Sequence, residues 1–151
     1  MNDVIFMSSS FFPDYGPGAV RGYHIVEQFT RFHSLKVKVI TIKNSRYKRS
    51  PQNHKLQELL GSNDKIDYFG ISSPFTSRSL GSVGWIFVYI IYLLRVSIEI
   101  FRFKGKFILY STSSGLVAYY VIMLSRLADK KIYIDYRDQF FLSLISMVKP
   151  N

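Results

Sequence analysis

The run Phe11-Phe12-Pro13-Asp14-Tyr15-Gly16-Pro17-Gly18-Ala19-Val20-Arg21 sets two glycines and an arginine at the head of a helical pattern. Glycine lets a backbone approach a ligand closely, and a helix N-terminus presents unpaired N–H groups with a partial positive charge. Both suit a phosphate. Arg21, on the first turn, adds a guanidinium that can hold a phosphate through two parallel N–H bonds. The spacing is not the dinucleotide fingerprint Gly-x-Gly-x-x-Gly, and Lys43 stands where that motif places an acidic residue after the second strand. An ordinary Gly/Pro turn is the plainer alternative.

Two further clusters carry polar chemistry. Ser111-Thr112-Ser113-Ser114-Gly115 follows a short apolar run and precedes a helical one, so one of its hydroxyls is expected to cap that helix. Asp135-Tyr136-Arg137-Asp138 closes another apolar run, and its Asp/Arg pair reads either as a structural salt bridge or as ligand contacts. His24, His33 and His54 share no metal-ligand spacing, and no metal is expected. The chain has no cysteine, which excludes a disulfide framework, a thiolate zinc site and a cysteine nucleophile.

Elements that position these clusters follow from periodicity. Short apolar runs of strand length occur at Val4–Met7, Val37–Ile42, Ile66–Ile71, Phe107–Tyr110 and Ile132–Tyr136. Helical spacing of apolar residues marks 19–32, 82–103 and 116–127, with a short helix at 57–60 and the start of another at 140–148. Residues 43–55 and 72–81 read as loops. Strands alternating with helices imply a parallel α/β sheet covered by helices on both faces, because parallel strands need crossovers. Ligands in such sheets bind beyond the carboxyl ends of the strands. That rule selects residues 8–21, 111–115 and 135–139, the same three clusters.

With 151 residues and 48% hydrophobic content the chain supports one domain over 1–151 with a real core, which excludes disorder and low-complexity architecture. A formal net charge of +10 points to a polyanionic partner. The densest basic cluster, Lys43, Arg46, Lys48, Arg49 and Lys55, is either a solvated loop or a contact surface. Nucleic acid is not the expected partner, since neither a recognition helix nor an aromatic RNA-binding strand signature is present. Val83 to Leu94 is free of charge, but Arg95 and Glu99 follow it, and a helix over that run reaches only about 18 Å. Three readings stay open for it: a core helix, a surface lying on a membrane, and a true span. Trp85, Tyr89 and Tyr92 suit a lipid interface, and Arg95, Arg102, Lys104 and Lys106 suit anionic headgroups. No secretory leader is evident, so a cytoplasmic start is expected.

The segments "VIFMSS", "FFPDYGPGAVRGYHIVEQFTRFHSLKVKVIT" and "LYSTSSGLVAYYVIMLSRLADKKIYIDYRDQF" resemble, in order and spacing, the amino-terminal domain of GT-B glycosyltransferases of family 4. The resemblance covers residues 2–142. It implies a Rossmann-like sheet forming one half of a GT-B fold, and a nucleotide-sugar-dependent transferase of bacterial surface-polysaccharide assembly. By that resemblance Gly16, Gly18 and Arg21 face the donor diphosphate, and Arg137 and Asp138 lie beside the reacting sugar; Ser113 and Ser114, at the matching edge of the sheet, are candidate substrate-binding residues. Pro17 splits the usual Gly-Gly pair, Gln139-Phe140 departs from Leu-Trp-Pro, and His33-Ser34 only approximates Gly-His. The implied partners are a nucleotide-sugar donor held by a second domain, a lipid-linked sugar acceptor and the anionic inner face of the plasma membrane; no cofactor is implied. The donor half is missing from these 151 residues, so the chain alone is expected to be inactive. A non-catalytic, membrane-associated Rossmann-like module is the alternative.

Overall fold

A computed structural model describes residues 2–11, 17–42, 63–71, 77–112 and 114–136, with the backbone alone described for Pro17, residues 77–83 and Trp85. The elements are β1 (Val4–Ser8), α1 (Pro17–Phe32), β2 (Val37–Ile42), β3 (Ile66–Ile71), α2 (Ser77–Arg102), β4 (Phe107–Thr112), α3 (Gly115–Leu127) and β5 (Ile132–Tyr136). All pairings are parallel, in the order β3-β2-β1-β4-β5. The expected α/β fold is therefore present: a Rossmann-like five-stranded sheet with helices on both faces.

Strand alternation divides the core in two. Val4 and Phe6 of β1, with Val37 and Val39 of β2, face α1 and meet Val26, Phe11 and Phe29. Ile5 and Met7 point the other way, with Ile40, Ile42, Ile108 and Tyr110, toward α2 and α3. On α2 the residues that meet this second face are Val88, Tyr92, Val96 and Ile100, a stripe repeating every four positions. The central strand β1 is buried along its whole length, which explains the unbroken apolar run Val4–Met7.

Helix α1 approaches the first face closely at Gly22. A Cβ there would stand 3.1 Å from the Phe6 ring and 3.2 Å from the Phe11 ring. Gly22→Leu is expected to destabilise the chain by about 3 kcal/mol, because the added side chain overpacks two fully buried rings. Urea unfolding measures this; an unchanged midpoint would mean that α1 does not dock here.

Several boundaries differ from the sequence reading, among them the start of α1, which takes in Pro17 and Gly18. Residues 77–81, expected in a loop, form the first turn and more of α2, since a helix anchored by a packed stripe extends at little cost per residue. Strand β4 continues through Ser111 and Thr112, which are held in register against Asp135 and Tyr136 of β5. Ladder pairing recruits polar residues that periodicity alone assigns to a loop. The short helix at 57–60, the helix beginning at 140 and the basic cluster within 43–55 lie outside the described residues.

Arg95 and Glu99 do not interrupt the apolar helix so much as tie it down. The Glu99 carboxylate is buried, at 2.9 Å from Lys38 Nζ on β2 and 3.0 Å from the Arg95 guanidinium one turn back. Arg95 also lies over the Phe69 ring of β3, 4.6 Å from its centre. A carboxylate in such a place is tolerable only because two cations accompany it.

Candidate functional site

The sheet order reverses between β1 and β4, each of which leads through its next helix to the opposite side of the sheet. A crevice forms beyond the carboxyl ends of the strands at such a point. Here the register brings Ser8 of β1 opposite Ser111 of β4, and Ser111 opposite Asp135 of β5. One row further in, Phe6, Leu109 and Tyr133 stand in the same register. The face toward α1 thus changes from apolar to polar in a single step, at the carboxyl edge of the sheet.

Arg21 joins this row from α1. Its guanidinium donates to Asp135 Oδ1 at 2.5 Å, across 114 residues of sequence. The other carboxylate oxygen, Oδ2, accepts from the Ser111 hydroxyl at 2.7 Å. Asp135 is nearly enclosed, with 11% of its side chain exposed, whereas the Arg21 side chain is 57% exposed. The pair is therefore a seated anion holding a cation that still reaches solvent. Ser8 closes the row on the β1 side, its hydroxyl donating to the Ser10 carbonyl at 2.7 Å.

The opposite face of β4 braces the same edge. Burial pushes the Tyr110 phenol strongly up, so that it stays an O–H group, and the Tyr89, Tyr92 and Thr112 hydroxyls interact with it. Tyr89, from α2, is also raised by burial. Thr112 Oγ1 accepts the Ser114 N–H at 3.1 Å. Ser114 occupies the position before α3 but makes no side-chain cap, so the cap expected from one hydroxyl of this cluster does not come from the residue at the capping position. The Thr112 hydroxyl orders this turn from the strand side instead.

The sequence-derived residues divide as follows. Gly18, half-buried in the first turn of α1, and Arg21 belong to this edge, and Ser114 borders it. Gly16, Ser113, Arg137 and Asp138 lie outside the described residues. Ser111 and Asp135 lie within two of the polar clusters that the sequence marks, where neither has an individual role. Their signal is the alternation itself: each is the first polar residue of its strand on the α1 face. Among the described residues no group of three or more His, Cys, Asp or Glu side chains could hold a metal ion. His24 instead sits 3.4 Å from Glu27, its neighbour one turn on.

Fold and edge together define the class, a Rossmann-like α/β domain with a charged cluster at its topological switch point. Neither protein-family models nor curated proteins give a match to this chain.

Proposed function

We propose that the chain is the acceptor-binding half of a nucleotide-sugar-dependent glycosyltransferase of bacterial surface-polysaccharide assembly. The Arg21–Asp135–Ser111 cluster at the switch point carries the reading, because it puts an accessible guanidinium beside the head of α1. In this reading the donor diphosphate approaches Gly16, Gly18 and Arg21. As the bond from the sugar's anomeric carbon to the diphosphate oxygen breaks, negative charge grows on the leaving oxygens. The guanidinium and the N–H groups at the start of α1 offset it. Arg137 and Asp138, following β5, attend the reacting sugar, and a lipid-linked sugar is the acceptor. A second Rossmann-like half supplies the nucleotide site.

The test is reconstitution. The full chain is mixed with a folded polypeptide supplying the donor half, and transfer of labelled sugar from a nucleotide sugar to a lipid-linked acceptor is followed. Transfer by the mixture and by neither part alone is the expected result; a mixture that stays inactive overturns the reading.

The same reading sets the chain against an anionic membrane face at the cytoplasmic side. Among the described residues no helix is long and apolar enough to cross a membrane. Helix α2, however, is apolar on both sides. Its outer side exposes Ile86, Ile90, Leu94, Ile98 and Phe101, beside Leu116, Tyr119, Met123 and Leu127 of α3. Where these helices end, Arg102, Lys104 and Arg126 are exposed, with Lys130 and Lys131 close behind in sequence. An apolar face with a basic end matches anionic lipid. Binding to anionic vesicles without sugar transfer by any mixture would favour the non-catalytic membrane-associated module instead.

A further inference from the structure

Arg21 sits on a helix, more than half exposed, where a long side chain ordinarily samples many rotamers. Its guanidinium is nevertheless anchored by a residue of β5. Asp135 takes one N–H through Oδ1 and is itself seated by Ser111 through Oδ2, on the neighbouring strand of a paired ladder. Three elements, α1, β4 and β5, thus converge on one carboxylate.

We propose that Asp135, seated by Ser111, is a positioning residue that aims Arg21 at an anionic ligand, of the phosphate or diphosphate class, in the crevice beyond β1 and β4. This deepens the site's proposed role and rests on Arg21 being its anion-binding group. A guanidinium has five N–H donors in a rigid plane, so one edge can be held by a carboxylate while others address an oxyanion. Fixing the plane before the ligand arrives removes the ordering cost from binding. The ion pair also ties α1 to β5.

Charge counting and positioning lead to opposite results here. Removing a carboxylate from the edge of an anion site lessens repulsion and should tighten binding. Positioning requires the reverse. Inorganic pyrophosphate is titrated into the full chain at constant ionic strength, with binding followed by NMR shifts of the Arg21 side-chain Nε–H and of the α1 amides. Wild type is expected to bind saturably, and Arg21→Ala to bind at least tenfold more weakly. Asp135→Ala should weaken binding about fivefold although it makes the site more positive, and Asp135→Asn, which keeps an acceptor, should recover part of the loss.

Ser111→Ala leaves the carboxylate in place but loosens its seat, and about a twofold loss is expected. It also carries the test if Asp135→Ala fails to fold, as judged by amide dispersion. If wild type shows no saturable binding, or Arg21→Ala binds as well as wild type, the anion-site reading itself fails. If Arg21→Ala weakens binding while Asp135→Ala and Ser111→Ala bind equally well or more tightly, that reading stands and the positioning role is overturned.

Discussion

Glu99→Leu is expected to lower stability by about 3 kcal/mol, equivalent to a fall of roughly 6–12 °C in the thermal midpoint of a chain this size. The loss does not come from the helix, since Leu is the better helix former. It comes from the two cations left behind. Lys38 is 22% exposed and Arg95 33% exposed, and neither has another carboxylate partner among the described residues. Because both retain some contact with water, the effect belongs at the low end for a broken buried pair. Combining Glu99→Leu with Lys38→Met should restore at least half of the loss. That pair of replacements removes opposite charges together, and Arg95 keeps its contact with the Phe69 ring. A single variant that melts like wild type would show that Glu99 does not tie α2 to β2.

Leu94→Glu combined with Phe101→Glu is expected to abolish flotation with anionic vesicles while leaving the folded state as stable as before. The two side chains are 58% and 56% exposed on the outer side of α2, facing away from the stripe that meets the sheet. Each should contribute about 1.5 kcal/mol or more when buried in lipid, so losing both lowers partitioning at least 100-fold. New carboxylates at an anionic surface add repulsion. Wild type should float with phosphatidylglycerol vesicles and only weakly with phosphatidylcholine, and salt should weaken the former, since exposed charges contribute about 1 kcal/mol each at low ionic strength. Equal binding to both lipids, or an undiminished double variant, would sink the docking assignment.

The core-facing side of α2 also explains why its sequence admitted three readings. Val88, Tyr92, Val96 and Ile100 form an ordinary buried stripe, yet Ile90, Leu94 and Ile98 extend the apolar surface to the other side. Hydropathy counts both sides alike. Only the sheet's position separates the residues that build the core from those that remain open. Tyr92, read from sequence as an interfacial aromatic, proves to be fully buried.

The parallel α/β architecture is legible in the amino-acid sequence. Strand-length apolar runs alternating with helical stripes leave few packings that bury every apolar face, and β1 through β5 stand where those runs occur. The chain also gathers glycines, hydroxyls and charges after β1, β4 and β5, at the carboxyl edge of the sheet. Which of those residues meet was decided only by the tertiary structure. Arg21 and Asp135 are 114 positions apart, and their contact exists because β4 lies between β1 and β5 in register, with α1 crossing above. Lys38 and Glu99 likewise find each other across 61 positions. Local patterning reports the face a residue occupies, but a charge pair between distant segments depends on strand order and register. Those are set by the packing of the whole sheet.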